Sequence, residues 1–152
     1  MARKRKKNQR KISIKDPTGK IHDFHSHLEE AFFYYWTENY PTTLFSTQYV
    51  FASSKNYSFD FAWPNRKVAL EIQGYGPGHS SRLGTKRDVE KHNLALTLQW
   101  KVVYLVSEHL KEENIHESCK TLRKLLGIFD ADRQRGPRPY VPASHRKRGR
   151  AH

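Results

Sequence analysis

The sequence predicts an α/β fold in the order helix, three strands, helix, strand, helix, with a mixed sheet. Three observations lead there. Tyr57–Gly74 reads as two short apolar strands joined by a tight turn, because Phe59, Phe61 and Trp63 alternate with Asp60 and Ala62 before Pro64-Asn65 breaks the run. Leu28, Ala31, Phe32, Tyr35 and Trp36 recur at helical spacing. A polar helical stretch starting at Thr85 is followed by the apolar run Trp100–Val106. An antiparallel meander and a helical crossover to one more strand accommodate all three.

Each element has its own signal. Asp16-Pro17-Thr18-Gly19 is a turn. Ser26-His27-Leu28-Glu29 has capping-box spacing, and the aromatic helix that follows runs to about Asn39, where Pro41 stops it. Thr43–Ala52 is rich in β-formers and makes the first strand of the meander. Thr85 caps a helix reaching about Leu98, with Val89, Leu94, Leu96 and Leu98 expected to supply its apolar contacts. Trp100–Val106 suits a central strand buried on both faces. From Ser107 a helix is expected through Leu126, with Ile115, Leu122, Leu125 and Leu126 facing inward and Gly127 as terminator.

The chain has 152 residues, room for one domain with one core. No apolar run approaches the roughly 18 residues of a membrane span, and the basic start lacks the apolar stretch of a signal peptide. The expectation is an intracellular protein, cytoplasmic in a bacterial or phage-infected host and nuclear in a eukaryote. The single Cys119 excludes a disulfide framework and a cysteine-rich zinc site, and its place in a helix suggests a small core residue.

Net charge is +13 and unevenly placed. Of 28 Lys and Arg, eight lie in residues 1–15 and seven in 133–152, neither stretch holding an acid; residues 16–132 keep 13 bases against 15 acids. The expected organisation is therefore a basic arm (1–15), a globular domain (16–132) and a basic tail (133–152). Arms carrying Arg3, Lys4, Arg5, Lys6 and Lys7 at one end and Arg146, Lys147 and Arg148 at the other would bind a polyanion such as DNA or RNA through counterion release.

Asp60 and Glu71 are acids inside apolar strands, where an unpaired carboxylate is costly to bury. They sit exposed at strand ends, pair with Lys67 and Arg66, or share a cation. Mg²⁺ suits two carboxylates because it takes oxygen ligands and keeps several waters. A one-residue slip of either strand would turn its acid to the opposite face. Asp23-Phe-His-Ser-His27 looks like the D-x-H-x-H metal motif of amidohydrolases, but the chain is too short for their barrel.

Asp60, Glu71-Ile72-Gln73-Gly74, His79, Asp88-Val89-Glu90-Lys91 and Gln99-Trp100-Lys101-Val102-Val103, in this order, resemble the restriction-endonuclease-like PD-(D/E)XK nucleases. The likeness is to the branch of very-short-patch-repair-type endonucleases and small phage or mobile-element nucleases, and it covers about residues 26–106. It implies an α-β-β-β-α-β core and a Mg²⁺-dependent endonuclease acting on DNA, with Mn²⁺ able to substitute. Asp60, Glu71 and the Ile72 carbonyl would hold the metal, and Glu29, in an S-x-x-E-x-x-aromatic pattern with Ser26 and Phe32, would either approach the same site, with Glu30 in reserve, or serve only as the capping-box acid. Gln73 stands where the family usually has Lys; it can orient a water but brings no charge. Lys91 is the candidate to stabilise charge on the phosphate in its place, with Lys86 as second choice. His79, in the glycine-rich loop Gly74–Gly84, is a candidate general acid or base, and Tyr75 and Arg82 of that loop could meet a phosphate or base. Nucleases of this kind include Holliday-junction resolvases and mismatch or nicking enzymes. A resolvase would want a homodimer, for which Phe33 and Tyr34 of the first helix could form the interface. The competing reading is a non-catalytic nucleic-acid-binding protein on the same fold.

Overall fold

The computed structural model describes residues 12–16, 18–24, 26–74 and 85–129. Strands β1 (Ile12–Lys15) and β2 (Ile21–Phe24) form an antiparallel hairpin, followed by helix α1 (His27–Asn39). Strands β3 (Ser46–Ala52), β4 (Tyr57–Trp63) and β5 (Val68–Gln73) form the meander, helix α2 (Lys86–Thr97) crosses over, and β6 (Lys101–Val106) pairs parallel to β5. Short helices α3 (Ile115–Ser118) and α4 (Lys120–Leu125) close the described chain. The four-stranded sheet has the order β3-β4-β5-β6 and is mixed, so the chain is α/β as the sequence predicts.

Tight turns explain the meander. Asn56 (φ 53°) and Lys67 (φ 52°) end 3₁₀ turns between β3, β4 and β5 in the left-handed region, so each reversal needs few residues. Gln99 (φ 64°) is likewise left-handed, in the tight connection between α2 and β6.

The sheet buries both faces. On one, Phe24 of the hairpin, Phe32, Phe33 and Trp36 of α1, and Leu122 of α4 pack on Phe61, Trp63, Val68 and Leu70. On the other, Phe59, Ala62, Ala69 and Trp100 lie with Ala95 of α2. Cys119 is fully buried in the first core, as expected of a small core residue.

Several expectations are corrected. The hairpin adds two strands ahead of the predicted order, and β1 lies within the stretch read as a basic arm. Phe24 and the buried His22 anchor it: His22 Nε2 lies 2.8 Å from Asp16 Oδ2 and Nδ1 3.1 Å from Thr47 Oγ1. Among the described residues β6 is an edge strand with only Leu105 buried, because nothing described pairs on its outer side. The helix expected from Ser107 to Leu126 is a 3₁₀ turn at Ser107–Leu110, a break, then α3 and α4. The five-residue step from Leu110 to Ile115 does not match helical spacing, and the break lets both enter the core. Phe33, proposed for a dimer interface, is buried against Phe24 and Phe45, and Tyr34 is half-buried, so α1 offers no exposed aromatic pair. In α2, Val89, Leu96 and Leu98 are exposed; the buried residue is Ala95. No helix among the described residues is long and apolar enough to cross a membrane.

Candidate active site

Pairing of β4 with β5 runs from Trp63–Val68 to Phe61–Leu70 and then stops. One step further along the same register stand Asp60 and Glu71. Asp60 Oδ2 accepts the Ile72 backbone N–H at 2.7 Å, so a carboxylate takes the place of a strand partner where the two strands part. Both acids are partly buried rather than at exposed ends.

Beyond Asp60 the alternation expected of β4 fails. Phe61 packs toward α1, its ring 4.7 Å from Phe32, whereas Phe59 packs toward α2, 5.0 Å from Trp100. Residues two apart share a face in a regular strand. Here they do not, and Asp60 is the residue at which the strand turns over.

Glu71 keeps the regular alternation of β5. Val68, Leu70 and Ile72 join the first core and Ala69 the second, which puts Glu71 and Gln73 toward α2. There Glu71 Oε1 accepts a short, charge-assisted hydrogen bond from Lys91 Nζ. Lys91 also lies 5.6 Å over the Phe59 ring. The pair is poorly exposed, 16% for Glu71 and 23% for Lys91. Arg66 and Lys67 of the preceding turn are not its partners in this ion pair.

Burial pushes the Glu71 carboxyl up, and the Asp60 carboxylate pushes it further; Lys91 pulls down and Glu29 adds to the rise, leaving it at about 7. Asp60 and Glu29 thus both act on Glu71. Glu29 is buried at the start of α1, with Ser26 Oγ accepting its backbone N–H (3.2 Å) and its own Oε2 accepting from Gln48 Nε2 (3.4 Å). Its carboxylate is therefore aimed at β3 and the site, beyond a role in capping.

The remaining candidates separate clearly. Lys86 is 90% exposed and paired with Glu90 at 3.7 Å, away from Glu71. Gln73 follows Glu71 on the same side of β5 and is half-buried. His79, Tyr75 and Arg82 lie outside the described residues, as do Arg3, Lys4, Arg5, Lys6, Lys7, Arg146, Lys147 and Arg148.

Two residues that sequence reasoning missed border the site. Tyr104 of β6 is the register partner of Glu71, and its hydroxyl shares a 2.9 Å hydrogen bond with His92 Nδ1 of α2. Burial raises the Tyr104 phenol, and the Glu71 and Asp88 carboxylates raise it further. The available signals were a hydroxyl inside the apolar run Val102–Val106 and a His directly after Lys91. Asp88, Lys91, His92 and Ala95 recur at helical spacing and form the partly or fully buried side of α2.

The donor set fits Mg²⁺. It is all oxygen, it comes from carboxylates whose mutual repulsion a cation relieves, and Mg²⁺ usually takes only one or two carboxylates, with waters and substrate phosphates completing its shell. Among the described residues no group of three or more His, Cys, Asp or Glu side chains gathers closely enough to form a metal site by itself. No protein-family model, curated protein or solved structure matches this chain.

Proposed function

We propose that this chain is a metal-dependent endodeoxyribonuclease that hydrolyses DNA phosphodiester bonds. The observation that carries this reading is the meeting of Asp60 and Glu71 where β4 and β5 separate, with Glu71 raised to about 7 chiefly by burial and by Asp60. Two acids held together against their own repulsion are arranged for a cation rather than for stability alone.

Asp60, Glu71 and the Ile72 carbonyl would hold Mg²⁺, or Mn²⁺ in its place, with Glu29 as a further acid. The ion supplies Lewis-acid assistance to in-line attack of water on the phosphodiester and stabilises the leaving oxygen. Gln73, next along the Glu71 side of β5, orients the attacking water. Lys91, paired with Glu71, would be the nearby positive charge to offset the charge that grows on the phosphate. His79 would serve in proton transfer. The basic arms, with Tyr75 and Arg82, would grip the DNA through its phosphates, which positions it without reading sequence. A structure-specific substrate suits such contacts, and a four-way junction or a mismatched duplex is the class we favour. Two symmetric cuts in a junction would require a homodimer.

The test is cleavage of linear duplex, mismatched duplex, single strand and four-way junction, with Mg²⁺, Mn²⁺ or chelator. Asp60→Asn and Glu71→Gln are each expected to lower the cleavage rate by about 100-fold or more, a loss typical of removing one electrostatic contributor. The Glu71–Lys91 ion pair favours a second reading, in which the acid is structural and the chain binds nucleic acid without cutting it. Binding with no cleavage in either metal would establish that reading instead.

A further inference from the structure

Four described non-glycine residues have positive φ: Gln48 (48°), Asn56, Lys67 and Gln99. The last three end a turn or follow a helix, where the left-handed conformation is ordinary. Gln48 is different, because it lies inside β3. A glutamine held left-handed in mid-strand must be over-determined by what surrounds it, and such positions cluster at functional sites.

What surrounds it is the acid site. The β3–β4 register pairs Thr47 with Phe61 and Tyr49 with Phe59, which sets Gln48 level with Asp60. Thr47 faces the first core, its Oγ1 3.1 Å from His22, while Tyr49 faces the second, 5.7 Å from Trp100. So β3 changes faces at Gln48 where β4 changes faces at Asp60. The two strands roll over together, and the left-handed residue supplies the rotation. From that point the Gln48 amide donates to Glu29 Oε2 at 3.4 Å. One residue thus touches one acid through its side chain and sets the strand geometry beside another through its backbone.

We propose that Gln48 is a positioning residue of the carboxylate site, its backbone turning β3 and β4 so that Asp60 meets β5, and its amide holding Glu29 beside them. This rests on the nuclease reading of the same residues. The electrostatic influence of both Asp60 and Glu29 on Glu71 agrees with it. Gln48 itself touches no reacting atom and acts through the acids.

The experiment uses the full chain and four variants: Gln48→Gly, Gln48→Ala, Glu29→Gln and the double variant Q48G/E29Q. Thermal unfolding is followed without metal and with saturating Mg²⁺, and kcat and KM are measured on whichever DNA the wild type cuts best. Glycine enters the left-handed region without strain, so Gln48→Gly is expected to melt no lower than wild type and above Gln48→Ala. It is expected nonetheless to lose most of the Mg²⁺-dependent rise in melting temperature, and about 10–100-fold in kcat with little change in KM, the usual effect of removing a group that orients a ligand. The double variant should be no worse than the more damaged single one, because both changes act on the same Gln48–Glu29 contact. Gln48→Gly with an undiminished Mg²⁺ shift and kcat overturns the proposal while leaving the nuclease reading intact, and so does Gln48→Ala melting above Gln48→Gly. A wild type that neither cuts nor gains stability with Mg²⁺ overturns both.

Discussion

At Glu71, burial and neighbouring carboxylates act in one direction, and the consequence is a measurable pH dependence. Its carboxyl moves from about 4.5 in the unfolded chain to about 7 in the folded one. Between those values the folded state holds the extra proton, so stability falls as pH rises through this window. The difference is fully favourable below about 4.5 and lost above about 7. Wild-type melting temperature should therefore drop more between these two pH values than that of Glu71→Gln, and Mg²⁺ should recover part of the drop at the upper end. Equal pH profiles for the two proteins would contradict this account of the site. Asp16 shows the opposite sign. Burial would raise its carboxyl, but hydrogen bonds from the Thr18 hydroxyl, His22 and the Lys20 and Thr18 amides outweigh it and hold it at about 2. Its contribution is present above the ordinary value of 3.8 and fades as pH falls toward 2. Asp16→Asn should cost about 1 kcal/mol at neutral pH, as expected for lost hydrogen bonds, with the gap to wild type closing in denaturant titrations at pH near 2.

At the scale of elements, the hairpin and the paired rollover of β3 and β4 make separate predictions. The hairpin contributes Phe24 and His22, both buried, to the core under α1, while residues before Ile12 lie outside the described structure. A chain beginning at Ile12 keeps both hairpin strands and serves as the reference. One beginning at Ser26 should lose a large part of its stability, because Phe33 and Phe61 lose the ring that packs 5.1 and 5.9 Å from them. Similar melting of the two shortened chains would mean that the hairpin does not belong to the core. The rollover predicts that Phe59→Ala and Phe61→Ala each cost about 3–5 kcal/mol, the range for emptying a buried aromatic site. Regular alternation would put both rings in one core and couple their losses. Placed in separate cores, with the sheet between them, the two losses should be close to additive in the double variant, as measured by chemical denaturation.

For the molecule as a whole, charge distribution decides how it meets a polyanion. Residues 16–132 carry 13 bases and 15 acids, so the excess positive charge that a polyanion would meet lies in the two ends. If the tail binds phosphates, removing residues 133–152 should lower affinity for duplex DNA at low salt. The slope of log affinity against log salt should become shallower by about 0.9 for each phosphate that the tail had neutralised. The cut of a bound substrate, at saturation, should be nearly unchanged, since the candidate catalytic acids lie in the described domain. A tail-less chain with an unaltered salt slope would assign DNA binding to the domain surface instead.

By itself the sequence determined the order of the elements from α1 to β6, the antiparallel meander and the return of the chain through α2. Those follow from local periodicity, capping residues such as Ser26 and Thr85, and turn residues such as Pro64-Asn65 and Asn56, all read within a few positions of one another. It also singled out Asp60 and Glu71, because an acid in an apolar strand is conspicuous wherever it points. Tertiary structure alone decided the rest. Which base meets Glu71 depends on a contact across 20 residues: the sequence ranked Lys91 above Lys86 only through a resemblance, and it is the rotation of α2 on the sheet that sets Lys91 against Glu71. Val89 and Leu96 imitate an inward stripe in sequence, yet packing turns Lys91, His92 and Ala95 to the sheet. Tyr104 reads as one more core residue until β6 is laid beside β5 in register with Glu71. The rollover at Gln48 and Asp60 rests on one backbone dihedral in mid-strand, a conformation that a glutamine adopts only when its surroundings require it, and no pattern of residue types announces it.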